Sequence, residues 1–202
     1  MRYRFIFFVI FLMNMFCLCS QNKHKQTIVF DVPHGGSDYG VASKDSIFFE
    51  KDFLLQIAKN LENKFANNLN VKFILTRNSD INIKSNERMA KAKKYHADLF
   101  FVLHFNSSFY TQSCSVIYNS YTDVNLLNLL RENTKKNFDC KDVEFIKNEN
   151  LLIFKNYKEN AIILEIGDLY DEKYINFLEK KGLQKISETI YKLLTQYLTI
   201  KH

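Results

Sequence analysis

The chain has 202 residues, a formal charge of +6, 47% hydrophobic and 25% charged residues, enough for one compact domain with a sizeable core. Five glycines and one proline, about 3% of the chain where average usage gives about 12%, exclude collagen-like, linker-rich and Pro/Gly-driven disordered chains. The few that exist are bunched, with Pro33, Gly35, Gly36 and Gly40 in one stretch that is marked as a loop of interest.

At the N-terminus, Arg2 and Arg4 precede an apolar stretch from Phe5 to Cys19, interrupted only by Asn14 and followed by Ser20 and Gln21. A basic start, a short apolar run and a small residue at its exit describe a secretory signal over residues 1–20, too short for an ordinary membrane span. The alternative is a lipoprotein signal acylated at Cys17 or Cys19, although Phe16 and Leu18 are bulky for such a site. Either way the expected location is outside the cytoplasm, in the periplasm or cell envelope, with lipid attachment in the second case. Without Arg2 and Arg4 the 28 basic residues fall to 26 against 22 acids, a charge of +4. Such mild basicity suits an ordinary solvated surface or an anionic envelope polymer, and no Lys/Arg block interleaved with aromatics marks a nucleic-acid groove. Cys114 and Cys140 remain after the signal, either as one disulfide or as two buried thiols.

The mature region, residues 21–202, alternates strand-like and helix-like segments. Thr27–Val32 is a β-branched apolar run, Glu50–Leu69 carries Leu54, Ile57, Leu61 and Phe65 at helical spacing, and Val71–Thr76 is again strand-like. There follow a helix over 84–95, an apolar run at 99–103, a strand near 115–118, a helix over 124–138 and short strand candidates at 143–146 and 151–154. Ala161–Ile166 is a further apolar run, with helical segments within 172–180 and 183–198. This alternation predicts a single-domain α/β three-layer sandwich, its largely parallel central sheet flanked by helices.

Three chemically capable residues fall at strand C-termini: His34 just beyond Thr27–Val32, His104 after Leu99–Leu103, and Glu165 after Ala161–Leu164. In open α/β sheets that edge is where loops converge into sites. Glu50 opens the helix after the glycine loop, and its spacing to Leu54 and Ile57 turns it towards the buried stripe. Two imidazoles and a carboxylate are a common ligand set for catalytic Zn²⁺, and a second carboxylate can take a proton from water during attack on a carbonyl. Taken singly, each has a duller reading: a turn residue for His34, a helix N-terminal acid for Glu50, a backbone-bonded histidine for His104, a structural ion pair for Glu165. His24, His96 and His202 lack such a setting and are read as surface residues.

Asp31-Val32-Pro33-His34-Gly35-Gly36, Glu50-Lys51, Leu75-Thr76-Arg77, Arg88 with Ala92, Ala97-Asp98-Leu99-Phe100 through His104-Phe105-Asn106, and Ile163-Leu164-Glu165-Ile166-Gly167 resemble, in order and approximate spacing, the zinc-dependent N-acetylmuramoyl-L-alanine amidases. The resemblance spans about Ile28 to Leu198. It implies that His34, Glu50 and His104 ligate zinc and that Glu165 is the catalytic carboxylate. The implied reaction is hydrolysis of the amide joining N-acetylmuramic acid to L-alanine, with peptidoglycan or muropeptides as substrate and a protein activator as a partner to be considered. Asp31 and Arg88 are expected to have structural or orienting roles. The chain departs from the family pattern at Pro33, Lys93, Phe105 and Asp168, of which Phe105 is expected to narrow access and Asp168 to raise the pKa of the nearby base. Neither an inserted autoinhibitory helix between His104 and Glu165 nor an appended wall-binding domain is expected. The alternatives are a degenerate zinc- or wall-binding scaffold, against which Glu165 speaks, and a zinc hydrolase of another amide, weakened by the lack of a His-Glu-x-x-His motif.

Overall fold

A computed structural model describes residues 25–106, 113–138 and 140–200, so the expected signal segment, His24 and His202 lie outside the described residues. The strands are β1 (Gln26–Asp31), β2 (Val71–Leu75), β3 (Leu99–Asn106), β4 (Cys114–Tyr118), β5 (Val143–Lys147) and β6 (Ala161–Asp168). They form one sheet in the order β2-β1-β3-β6-β4-β5, in which every neighbouring pair is parallel except β4 and β6. The helices are α1 (Glu50–Phe65), α2 (Ser85–Lys94), α3 (Val124–Asn137), α4 (Leu152–Asn156), α5 (Glu172–Phe177) and α6 (Leu183–Ile200), with a π-helical turn, Leu178–Gly182, joining the last two.

The central strands β3 and β6 are covered on both faces, which is why they read as nearly unbroken apolar runs. Side chains alternate between two cores. Ile28, Phe30, Phe101, Leu103, Ile162 and Leu164 point into the larger one, beneath α1, α3 and α6. Val29, Phe100, Val102, Ala161 and Ile163 point into the smaller one, beneath Met89 and Ala92 of α2 and Ile153 and Phe154 of α4. The three-layer arrangement expected from the sequence is therefore present.

One short element differs. The strand candidate at 151–154 is a helix, α4, whose Ile153 and Phe154 pack under the smaller core. An apolar run of four residues does not distinguish a strand from one buried helical turn.

α1 inserts Leu54, Ile57, Leu61 and Phe65 into the larger core, with Glu50 and Asp52 in its first turn and Lys64 in its last, complementing the helix dipole. Phe49 offers no capping side chain; loop carbonyls cap the helix instead, Val41 accepting from the Glu50 N–H at 2.8 Å and Tyr39 from the Lys51 N–H at 3.3 Å. The glycine-containing loop and the first turn of α1 are thus one hydrogen-bonded unit. Cys114, at the start of β4, is disulfide-bonded to Cys140, with Cα atoms 5.6 Å apart. No helix among the described residues is long and apolar enough to cross a membrane.

Candidate metal centre

β1 ends at Asp31, and the chain turns through Val32 and Pro33 into His34, which has φ 63°. The left-handed conformation is costly for a non-glycine residue and is held by the bonds around it. The His34 Nδ1 lies 2.9 Å from Asp38 Oδ1, whose oxygen also accepts the Gly40 N–H at 3.2 Å. With Nδ1 bonded to Asp38, Nε2 is the nitrogen whose lone pair a neutral ring offers to a cation, and it faces Glu50 Oε2 at 3.2 Å.

Glu50 projects from the first turn of α1 and is 1% exposed. Its Oε1 lies 2.9 Å from His104 Nδ1 and accepts the Phe105 N–H at 3.0 Å, while Oε2 accepts the Val41 N–H at 2.9 Å. Burial opposes its charge, yet the two histidines outweigh burial and hold the carboxyl well below its usual range. Burial likewise works against an imidazolium at His34, but Glu50 and Asp38 prevail and raise its pKa.

One ligand atom each from His34, Glu50 and His104 lie within 4.8 Å of one another, and the rings of the two histidines are 5.2 Å apart at an edge-on 75°. Zinc bonds of about 2.0–2.2 Å in a tetrahedron spread their donors about 3.3 Å apart; His34 Nε2 lies 3.2 Å from Glu50 Oε2 and His104 Nδ1 2.9 Å from Oε1, so small side-chain adjustments bring one atom of each to a common point. The donor chemistry fits a divalent cation as well: among the described residues no Lys or Arg bridges the buried Glu50 carboxylate, whose partners are two imidazoles and two backbone N–H groups.

Glu165 is brought beside this group by sheet register. It pairs with His104 across the parallel β3·β6 ladder and with Ser115 across the antiparallel β4·β6 ladder. His104 and Glu165 share the sheet face of Val102 and Ile163, where the smaller core ends one pleat earlier; both are half-buried, His104 with 27% of its side chain exposed. The pKa of Glu165 is raised, chiefly by burial and slightly by Glu50, while His104 and the Ser115 hydroxyl pull it down.

The departures from the family pattern settle into place. Phe105 is buried and packs its ring 6.1 Å from Phe53 and 6.3 Å from Tyr174, so it fills the larger core and does not narrow the mouth. Asp168 accepts the Tyr170 N–H at 2.8 Å, and burial is the leading cause of the Glu165 shift in place of the expected Asp168 charge. Lys93 is exposed on α2, as is His96 just beyond it. The Pro33 carbonyl accepts from Arg77 at 3.1 Å. Buried Asp31 and half-buried Arg88 form an ion pair, with Nε 3.0 Å from the carboxylate. Sequence reasoning missed Asp38, although an acid four residues after a loop histidine was a usable signal, and missed Ser115, which only strand register reveals.

Over residues 28–196 the chain matches the N-acetylmuramoyl-L-alanine amidase family. It is 44% identical over 77 residues to the N-acetylmuramoyl-L-alanine amidase AmiC of Escherichia coli O6:H1, an alignment covering 38% of this chain and 18% of that protein. The chain thus spans about a fifth of the length of the first curated relatives it matches. The crystal structure of N-acetylmuramoyl-L-alanine amidase from Clostridium difficile 630 superposes with a TM-score of 0.77 at 25% identity, covering 89% of this chain and all of that one. The CwlD amidase of Clostridioides difficile, solved in complex with the GerS lipoprotein, gives 0.72 at 24% identity, with 87% and 100% covered. A match that runs from β1 into α6 and takes in all four site positions means that this chain belongs to the N-acetylmuramoyl-L-alanine amidase family.

Proposed function

We propose that this protein is a zinc-dependent N-acetylmuramoyl-L-alanine amidase that cleaves the amide between N-acetylmuramic acid and L-alanine in peptidoglycan. The observation that carries the reading is the convergence of His34, Glu50 and His104 with Glu165 in register alongside. The substrate comes from the family; the hydrolytic chemistry comes from the residues.

His34, Glu50 and His104 would hold the ion, with Asp38 fixing the His34 ring so that Nε2 faces the centre. A bound zinc ion supplies Lewis acidity, polarising the scissile carbonyl and making water easier to deprotonate near neutral pH. Glu165 takes the proton from the attacking water and passes it to the departing amine, a role favoured by a carboxyl whose pKa burial has raised. The reading extends to export through the signal at residues 1–20, or its lipoprotein alternative, and to action in the periplasm or cell envelope. The reading includes a protein activator among the partners; the CwlD amidase, solved in complex with the GerS lipoprotein, supports only that a fold of this kind can bind a protein partner.

Purified residues 21–202 are expected to bind about one zinc and to release stem peptides from peptidoglycan. Glu165→Gln should lower release by about 10²–10⁴-fold, the usual contribution of a positioned acid–base group, with zinc retained. Zinc measured by atomic absorption and stem peptides measured by chromatography decide the matter. Full zinc occupancy without cleavage of any muropeptide would favour the scaffold reading, and loss of zinc in Glu165→Gln would make that residue a ligand.

A further inference from the structure

Arg77 follows the end of β2 and is 2% exposed, yet no carboxylate hydrogen-bonds to it among the described residues. Four backbone carbonyls take its donors: Nε to Val32 at 3.0 Å, Nη2 to Pro33 at 3.1 Å and to Lys51 at 2.8 Å, and Nη1 to Ser79 at 3.0 Å. Burying a guanidinium with no bonded carboxylate is expensive: burial lowers its pKa here, offset in part through space by the charges of Asp80, Asp52 and Asp31. The carbonyls it engages are not scattered. Val32 and Pro33 are the two residues before His34, and Lys51 is the residue after Glu50. One rigid, planar group therefore grips the main chain beside two of the three metal donors, which come from different elements.

We infer that Arg77 is the positioning residue of the metal centre, a side chain that never reaches metal or substrate but locks the peptide units next to His34 and Glu50 into one frame. The inference rests on the zinc reading proposed above. The planar fork is what permits it, because the five N–H donors of arginine diverge at fixed angles. A lysine ammonium at this position keeps the charge but cannot span carbonyls on both the β1 loop and α1. The adjoining Thr76 completes the frame, its Oγ1 accepting the Val32 N–H at 2.8 Å. Lys51 ties the far side of the loop, donating to the Gly36 carbonyl at 2.9 Å and to Asp80 at 2.8 Å.

Positioning and electrostatics predict opposite signs. Removing a positive charge near a cation site tightens cation binding by Coulomb's law alone, whereas loss of the frame weakens it. The test uses Arg77→Lys and Arg77→Gln in the mature chain, with Leu61→Ala in α1 as a control that destabilises the larger core without touching the loop. Zinc affinity is read by competition with a chromogenic chelator. In the metal-free protein, amide hydrogen exchange is read at Val41 and Phe105, whose N–H groups report the Glu50 carboxylate, relative to Phe101 within β3. Both arginine variants should bind zinc at least tenfold more weakly and exchange at least tenfold faster at Val41 and Phe105. Leu61→Ala should lower Tm while leaving both readings within twofold. Unchanged affinity and exchange in the arginine variants, tighter zinc in Arg77→Gln, or failure of both to fold would overturn the inference, the last by assigning Arg77 to folding as a whole. A wild-type chain that binds no zinc but shows the exchange effect in the variants would sink the zinc reading and leave the frame standing.

Discussion

Gly40 shows how little room the metal centre leaves. A Cβ at this position would lie 2.6 Å from Glu50 Oε2 and 2.7 Å from His34 Cδ2, and the backbone there has φ +67°. Gly40→Ala is therefore expected to displace two donors at once, lowering zinc affinity by at least tenfold and costing more than about 1 kcal/mol of stability, measurable by chelator competition and urea unfolding. Of the residues at this centre, His34, His104 and Glu165 were legible because each closes an apolar strand-like run, and Glu50 because it heads a strongly periodic helix. Asp38 left only the weak signal of an acid four residues after His34, which becomes a contact through the left-handed turn there, and Ser115 left none, since its place beside Glu165 depends on the antiparallel β4. Phe105 was misread for a related reason. Its place beside a ligand in sequence says nothing of the pleat, which sends it into the opposite core.

Among the elements, β4 is the one that depends most on a covalent tie. The disulfide joins its first residue to Cys140 across a separation of 26 residues. Closing a loop of that length stabilises the fold by about 3.5 kcal/mol on the chain-entropy estimate. Cys114→Ala with Cys140→Ala should lose roughly that amount in denaturant unfolding. Because Ser115 is the cross-strand partner of Glu165, the double variant is also expected to lose activity in a peptide-release assay before it loses zinc. The pairing of these cysteines had two readings in the sequence, since a free-thiol core and a bridge look alike without coordinates. Long elements were largely legible: α1, α3 and α6 follow 3.6-residue apolar stripes, although α1 stops at Phe65 and not at Leu69, while α2 buries only Met89 and Ala92, and β1, β3 and β6 follow runs of Val, Ile, Leu and Phe. Strand order was not legible, and neither was the reversal of β4, because both are set by how connections cross the sheet and not by local pattern.

For the molecule as a whole, two buried tyrosines make the fold sensitive to alkaline pH. Burial raises the pKa of Tyr157 and of Tyr197, the latter helped by its 2.8 Å bond to Asp123. A tyrosine whose folded pKa exceeds its unfolded value keeps its proton longer in the folded state, so its contribution is intact below about pH 10 and is lost as pH rises above that. Stability should fall by up to about 1.4 kcal/mol per pH unit for each such tyrosine above pH 10. Urea midpoints at pH 9, 10 and 11 check this, and Tyr197→Phe should flatten the decline while lowering stability at pH 8. The sheet order has a consequence for timing. His34, Glu50 and His104 all lie in the first 104 residues, whereas Glu165 arrives on β6, made late but placed between β3 and β4 in the middle of the sheet. In the proposed roles, the three candidate metal donors are therefore synthesised before the candidate proton acceptor, and a slip of one residue in the β3·β6 register would turn Glu165 to the wrong face. Under the proposed reading, catalysis waits on β6, the last strand in sequence, taking its place between β3 and β4.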